Sequence, residues 1–443
     1  MASNRKHTTF TTSTAAIAFG CALAASSAAT AQAPTPPAEQ PTAETPAAET
    51  PAAEAPAAVP APGPAALAPT PPPPEPPQSL IADGQVPKGP IAPASAPAIP
   101  NIDYGARMRV GMKVQNPNTP DKLNDIGEQL DTDLLFSGQI HRYFKWTASL
   151  TLSYGGTAGA SNNVNVQPLD VFAHIPVLPE LNLMLGRMLV IADRFAPGGP
   201  WGMDEYFFAG FFPSGAPAVG KAGPGGRDVG ATVWGAPFGG HAKYYLGVFN
   251  LADPASHPLY SGRVQVSLLG AEPAFNQRTT YYGTKDLISV GVGGQYQQDG
   301  STRTDSSTTP PTVLTDTFKY VTADLTVEKT IEGAGTVSAV GAFNKFWGDY
   351  QPWKQSYLAS FGYMLPQVVG IGKPRVTLRY QAGKSPAPGA KTSYVADAQL
   401  SYPVHAWFVR PMVGYRHGDM WSAASGSSQA SNMVYFALQL WDP

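Results

Sequence analysis

Few residues of this chain have the types and spacing that catalysis or metal binding requires. The only cysteine, Cys21, lies in an N-terminal apolar stretch, so a processed chain would hold no disulfide, no thiolate nucleophile and no cysteine-based metal site. The seven histidines are scattered without a pair at helical metal-ligand spacing, and no Gly-x-Ser-x-Gly sequence is present. Asp204 and Glu205 could form an acid pair, but a solvated turn or a pore-lining pair suits them better. We therefore predict no catalytic residue, no metal site and no cofactor.

The residues that do form a pattern are basic and alternate with apolar residues. In 104–114, for example, Arg107, Arg109 and Lys113 share one face of an extended chain, and apolar side chains share the other. The same alternation along the chain places ten bases on the polar face: Arg107, Arg109, Lys113, Arg187, Lys243, Arg263, Arg375, Arg379, Arg410 and Arg416. Five acids fall on that face: Asp131, Asp133, Asp228, Asp324 and Asp397. Because five acids neutralise at most five bases, an interior enclosed by these faces would be positive and would attract anions.

The elements that must position these bases are β-strands, because alternation with period two over nine or more residues indicates strands rather than helices. We predict sixteen strands, at about 102–114, 130–140, 146–154, 167–175, 181–190, 227–235, 242–250, 261–269, 286–297, 317–329, 335–346, 356–364, 374–382, 392–402, 406–416 and 431–441. Two soluble β-sandwiches would also supply sixteen strands, so the faces must distinguish the two architectures.

Three features favour a membrane barrel. Aromatic residues such as Trp146 and Tyr154 end the apolar faces eight residues apart, which places their rings roughly 20 Å apart along a membrane normal. The opposite faces carry charges that a sandwich core would not hold. Most connections alternate between long and short, as in outer-membrane barrels, although 270–285 is too long for a simple turn. The predicted fold class is all-β, a transmembrane antiparallel β-barrel of about 16 strands, with a bulge or shifted register at Pro411.

The N-terminal hundred residues differ from the rest in composition. Residues 1–31 combine a basic start, an apolar run and a small-residue cleavage site, as a secretory signal peptide does; an uncleaved membrane anchor is the alternative. Residues 32–100 are rich in proline and alanine and have no apolar periodicity, which predicts a disordered, extended linker. We therefore predict a signal peptide over 1–31, a linker over 32–100 and an outer-membrane barrel over 101–443.

Several short motifs, in a fixed order, resemble the phosphate-selective porin O and P family. They are Leu169-Asp170-Val171-Phe172, Pro179-Glu180-Leu181-Asn182-Leu183, Leu185-Gly186-Arg187-Met188, Gly226-Arg227-Asp228-Val229-Gly230, Tyr245-Leu246-Gly247-Val248-Phe249-Asn250, Gly262-Arg263-Val264 and Tyr281-Tyr282-Gly283-Thr284-Lys285-Asp286. The resemblance covers roughly 102–441. It implies a water-filled channel of sixteen strands, a homotrimer, and a long connection at 270–285.

The longest predicted connection, about 191–226, is the third on the long-loop side. In general porins that loop folds into the lumen and narrows it, and the aromatic residues here are too apolar for a solvated loop. Packing over the rim or against a neighbouring subunit is the alternative. The predicted constriction residues are Trp201, Asp204, Glu205, Tyr206, Phe207, Phe208 and Lys221.

The sequence therefore predicts an outer-membrane porin of a Gram-negative bacterium rather than an enzyme. It would be a passive diffusion channel for small hydrophilic solutes, with a preference for anions such as phosphate, and its linker would lie in the periplasm. Its expected partners are outer-membrane lipid, the solutes, two further copies of the chain and, through the linker, the cell wall. A net charge of −2 argues against a nucleic-acid partner. The alternative function is a structural barrel that the linker tethers to the cell wall.

Overall fold

The structure is a computed structural model. It describes residues 102–116, 125–157, 163–212, 226–250, 257–305, 307–308, 310–348, 351, 353–422 and 426–442. These residues form sixteen β-strands. The predicted signal peptide, the predicted linker and Lys221 lie outside the described residues. Within the described residues, no helix is long and apolar enough to cross a membrane.

All sixteen predicted strands are confirmed, with shifts at their ends. The strands are β1 Ile102–Asn116, β2 Asp125–His141, β3 Phe144–Thr157, β4 Asn163–Leu178, β5 Leu181–Leu189, β6 Arg227–Gly235, β7 Ala242–Phe249, β8 Leu259–Leu269, β9 Leu287–Asp305, β10 Thr312–Ile331, β11 Gly335–Trp347, β12 Gln355–Met364, β13 Arg375–Lys384, β14 Thr392–Ser401, β15 Val409–Ser422 and β16 Ser427–Asp442. The largest difference is in β9, which continues to Asp305 on the long-loop side, well beyond its predicted end.

The strands close into one antiparallel barrel. Each strand pairs with its neighbours in the chain, and β1 pairs with β16 from Ala106 opposite Asp442 to Asn116 opposite Asn432. Closure leaves no unpaired sheet edge, which is the condition for a sheet to span a membrane.

The two faces of the wall have opposite character. In β13, Val376, Leu378 and Tyr380 point outward and are exposed, whereas Arg375 and Arg379 point inward and are buried. An apolar outer face fits hydrocarbon, and a polar inner face encloses the charged residues.

Pro411 does not produce the bulge predicted from the sequence. The pairing of β15 with β16 runs without a register shift from Val409 to Ser422. The Pro411 carbonyl accepts a 2.9 Å hydrogen bond from the Tyr402 N–H, just beyond the end of β14 at Ser401. An N–H at this position would point to the end of β14. Because proline has no N–H, one hydrogen bond is missing there, and the rest of the pairing is intact.

Candidate functional site

The loop that follows β5 enters the barrel and binds the opposite wall. Its described part, 190–212, is almost entirely buried. Arg109 of β1 donates to the carbonyl of Pro200 at 2.6 Å and to that of Tyr206 at 3.0 Å. The indole N–H of Trp201 donates to Asp133 of β2 at 2.7 Å. The loop thus crosses the interior from β5 to β1 and β2.

Asp204 is the residue of this loop with the most charged contacts. Its carboxylate accepts bonds from Arg375 Nε at 2.9 and 3.0 Å and from the Thr377 hydroxyl at 2.6 Å. Arg410 lies 3.5 Å from the same carboxylate and donates to the Asp204 carbonyl at 2.7 Å. Burial by itself would raise the pKa of Asp204, but Arg375 and Arg410 hold this pKa below its usual value. Asp204 is therefore ionised and fixes the loop to β13 and β15.

The next residues of the loop bind the wall between β12 and β16. Glu205 accepts a bond from the Ser360 hydroxyl and lies 3.7 Å from Arg379. The Tyr206 ring is stacked on Tyr435 of β16 at a centroid distance of 5.4 Å, and burial raises the pKa of Tyr206 to about 12. The two phenylalanines that follow are half-buried: Phe207 and Phe208.

A second connection, 270–286 between β8 and β9, also enters the barrel, but from the short-turn end. Its Glu272 forms two 2.8 Å hydrogen bonds with Arg194 of the first loop, and both side chains are fully buried. Burial disfavours the charged form of both side chains, but the attraction between the two opposite charges outweighs it. The pKa of Arg194 is therefore raised, and the pKa of Glu272 is lowered. The inward connection and this ion pair were not predicted from the sequence; a lone acid in an unusually long turn was the only available signal.

The two inserted loops contact each other inside the barrel. The Thr279 N–H donates to the Gly202 carbonyl at 3.0 Å, and the Thr279 hydroxyl accepts from the Asp204 N–H at 2.9 Å. Tyr282 donates to the Asp204 carboxylate at 3.2 Å and also accepts a bond from Arg410. The position of the first loop therefore depends on the second.

Two wall arginines lie over glycines instead of projecting into a channel. Arg263 reaches Asp324 of β10 across Gly291, where a Cβ atom would stand 2.2 Å from the guanidinium. Arg375 crosses Gly362 in the same way, at 2.0 Å. Any side chain at these glycines would displace the arginine, so the pairing of glycine with arginine is part of the wall.

Most of the ten predicted bases have partners inside the barrel. Six of the ten predicted bases lie within 4 Å of a carboxylate: Arg107, Arg263, Arg375, Arg379, Arg410 and Arg416. The two inserted loops also bring charges that the prediction did not count: the acids Asp204, Glu205 and Glu272 and the base Arg194. Lys243 is buried and donates to the carbonyl of Ala274 in the second loop. Most of these bases hold the interior together.

Arg187 does not face the lumen as predicted. It stands opposite Val171 of β4 and Val229 of β6, without a register shift, and two residues from the exposed Leu185. Residues two apart on a strand share a face, so Arg187 belongs to the outer face. Its Nε donates to the Leu169 carbonyl at 3.1 Å.

The solvent-accessible part of the inner wall lies on β1–β4. In β7–β14, almost every inward residue is buried, and an apolar cluster that includes Met188, Trp234 and Phe275 fills part of that side. By contrast, the half-exposed inward residues of β1–β4 include Arg107, Lys113, Gln115, Gln129, Asp131, Ser153, Asn165, Gln167 and Asp170. This surface forms a vestibule beside the first loop.

Solvent exposure along the vestibule is low at the level of Arg107. This side chain is 13% exposed, donates to Asp133 at 2.8 Å and lies 5.0 Å from the ring centroid of Trp201. Towards the short turns, Leu135 and Ser149 are buried. On the long-loop side, Arg416 is 18% exposed. The accessible surface is therefore polar, charged and constricted by the inserted loop.

In the described part of the chain, no group of three His, Cys, Asp or Glu side chains could hold a metal ion.

Solved structures share this architecture. OprB of Pseudomonas putida is 7% identical to this chain, with a TM-score of 0.53. The match covers 77% of this chain and 94% of the OprB chain. The chain has the fold of an outer-membrane porin. Two further structures are similar. An anion-selective porin from Comamonas acidovorans is 12% identical, with a TM-score of 0.49, and the match covers 77% of this chain and 100% of that porin. OmpT of Vibrio cholerae in a trimer form is 11% identical, with a TM-score of 0.49, and the match covers 78% of this chain and 100% of OmpT. No protein-family model matches the chain, and no curated protein matches it.

Proposed function

We propose that this protein is an outer-membrane porin, a passive diffusion channel for small hydrophilic solutes with a preference for anions such as phosphate. The observation that carries the proposal is the half-exposed polar wall of β1–β4, which runs beside an inserted loop inside a closed barrel. A water-filled passage with a narrow polar section selects solutes by size and charge and requires no catalytic group.

The proposed anion preference rests on the charges that solvent reaches. The partly exposed charges beside the first loop include the bases Arg107 and Lys113 of the vestibule and Arg416 of β15, and the acids Asp131 and Asp170 of the vestibule. Three against two leaves a small positive excess, which supports a modest preference for anions. Guanidinium groups also match the geometry of phosphate and carboxylate oxygens.

The same proposal includes location and assembly. A barrel with an apolar outer face supports insertion in the outer membrane of a Gram-negative bacterium, with the predicted linker in the periplasm. The resemblance to the phosphate-selective porins supports a homotrimer.

A structural barrel tethered to the cell wall is the second candidate. The observation that favours it is the meeting of the two loops through Gly202, Asp204 and Thr279, which fills much of the interior. A barrel closed in this way would not conduct.

Planar-bilayer recordings in a potassium chloride gradient distinguish these functions. We expect discrete conductance steps and a reversal potential of the sign for anion selectivity, reduced by Arg107→Ala combined with Arg416→Ala. Arg187→Ala is the matched control, because it removes a base from the outer face and should leave the reversal potential unchanged. A cation-selective channel would contradict the anion preference, and a folded barrel without conductance would favour the structural role.

A further inference from the structure

The inner wall of the vestibule carries the same order of chemical groups twice. Strand pairing places four inward residues side by side across β1–β4: Arg107, Asp133, Thr151 and Gln167. Two residues further towards the long loops, a second row crosses the same strands: Arg109, Asp131, Ser153 and Asn165. In each row a guanidinium, a carboxylate, a hydroxyl and a carboxamide follow in that order.

The hydroxyl and carboxamide ends of the two rows form one continuous surface. Neighbouring strands are about 4.8 Å apart, and residues two apart on a strand are about 7 Å apart and share a face. Val166, between Asn165 and Gln167, points outward and is 58% exposed. The polar groups of β3 and β4 therefore cover an area of the inner wall about as large as one sugar ring.

This end of the rows is open to solvent. Ser153, Asn165 and Gln167 are half-exposed, and within the described residues none of these three side chains has a hydrogen-bond partner. The other end is occupied: Arg109 is buried, and its Nε donates to Gln439 at 2.9 Å. The groups that remain available to a solute are therefore the neutral ones.

The same pair of groups behaves differently in the filled half of the barrel. Asn344 of β11 stands directly opposite Ser356 of β12, and its amide donates to the serine hydroxyl at 3.3 Å. Both of these side chains are fully buried. Ser153 and Asn165 are also directly opposite each other, but they face solvent and are not bonded to each other. Their position suits a bound solute rather than the packing of the wall.

The chemistry of these groups indicates which solute would bind. A hydroxyl and a carboxamide both donate and accept hydrogen bonds, and alcohol hydroxyls do the same. The half-exposed carboxylate of Asp131 beside Ser153 accepts from hydroxyls and repels anions. A phosphate ion would find few donors here, whereas a solute with several adjacent hydroxyls could bond to each of these groups.

We propose that Ser153, Asn165 and Gln167, together with the Asp131 carboxylate, form a binding site for neutral polyhydroxylated solutes of the sugar type. This inference deepens the proposed function and rests on it, because the site would lie on the path of a diffusing solute. It gives the channel a second class of solute beside the anions that Arg107 and Lys113 attract.

The test records single-channel current of the full chain in planar bilayers while sucrose is added. We expect a saturable reduction of the current, whereas polyethylene glycol of the same hydrodynamic radius, which has ether oxygens and almost no hydroxyls, should give no saturation. Asn165→Ala combined with Gln167→Ala should raise the half-saturating sucrose concentration about tenfold, because hydrogen bonds to the sugar are lost. Val166→Ala is the matched control, since it lies between them and faces outward.

Sucrose binding is also measured without conduction, by saturation-transfer difference NMR of the protein in detergent. The same half-saturating concentration in the double variant and in Val166→Ala, with both barrels trypsin-resistant, would overturn the site; if these barrels conduct, the proposed channel stands without it. Sucrose binding that the double variant loses, in a barrel that does not conduct, would support the site and contradict the channel. Ser153→Ala tests the same site from β3 if the double variant fails to fold.

Discussion

At the scale of single residues, Asp204 has the largest number of charged and hydrogen-bonding contacts in the interior. It joins the first inserted loop to Arg375, Thr377 and Arg410, and Tyr282 of the second loop also binds its carboxylate. A buried carboxylate of this kind is stable only while its partners remain, and the same is true of the arginines.

We expect Asp204→Asn to lower the free energy of unfolding by about 3–5 kcal/mol, because it leaves buried guanidinium groups without their counter-charge. Urea unfolding followed by tryptophan fluorescence measures the change. Asp286→Asn is the control, since Asp286 pairs with Lys329 on the exposed surface and should have no measurable effect. Equal stability of the two variants would show that Asp204 does not hold the loop.

Glu272 makes the attachment between the loops sensitive to pH. Because its pKa in the folded protein is lowered, its stabilisation is fully present above the ordinary carboxyl pKa of about 4 and is lost as the pH falls through the lower, folded value. We expect single-channel conductance to be constant from neutral pH to about 4 and to change below it.

Glu272→Gln is the control for this pH dependence. It keeps the size of the side chain and removes the charge, so this variant should show the altered conductance already at neutral pH. A wild-type transition that persists unchanged in Glu272→Gln would assign it to other carboxyl groups.

At the scale of elements, the first inserted loop lies inside the barrel and brings two acids, Asp204 and Glu205, to its wall. Arg375 and Arg379 are two of the ten bases that the sequence predicts to face the lumen. In the structure, both arginines bind this loop. Arg375 pairs with Asp204, and Arg379 lies near Glu205 and donates to the Phe207 carbonyl. We therefore expect the double variant Arg375→Ala with Arg379→Ala to raise conductance and its fluctuations, measured in planar bilayers, because it releases the loop. Stable conductance at the wild-type level would contradict that role.

Deletion of residues 199–225 tests the same element more directly. The deleted segment contains Asp204, Glu205 and Lys221, so its removal makes the chain more positive by one charge. We expect a folded barrel with higher single-channel conductance and a reversal potential shifted towards stronger anion selectivity. Unchanged conductance in a trypsin-resistant barrel would place the narrowest section elsewhere.

At the scale of the whole molecule, the strand pairing that closes the barrel lies within residues 106–442. The pairing of β1 with β16 uses residues from Ala106 to Asp442, and β1 begins at Ile102. We expect truncation of residues 32–98 to leave folding and conductance unchanged, as measured by resistance to trypsin and by bilayer recordings. If the truncated chain with its signal retained fails to reach the outer membrane, the segment is needed for more than spacing.

The sequence by itself determined the strands and their faces. Alternation is a local property: whether Val376 or Thr377 points outward depends only on the residues beside it and on the period of a strand. For the same reason sixteen strands, their order and the closed barrel were predictable. The exceptions, Pro411 and Arg187, depend on how a neighbouring strand ends or pairs.

Only the tertiary structure decided what the interior charges do. Asp204 and Arg375 are 171 residues apart, and Arg194 and Glu272 are 78 apart in two different loops. No local pattern records such pairs. An arginine that projects into water and one that lies over Gly291 occupy equivalent positions in the alternating pattern of a strand. The number of unpaired charges could therefore not be counted from the pattern of inward and outward residues. Electrostatics depends on distance in space, and here that distance is set by two loops that enter the barrel from opposite ends.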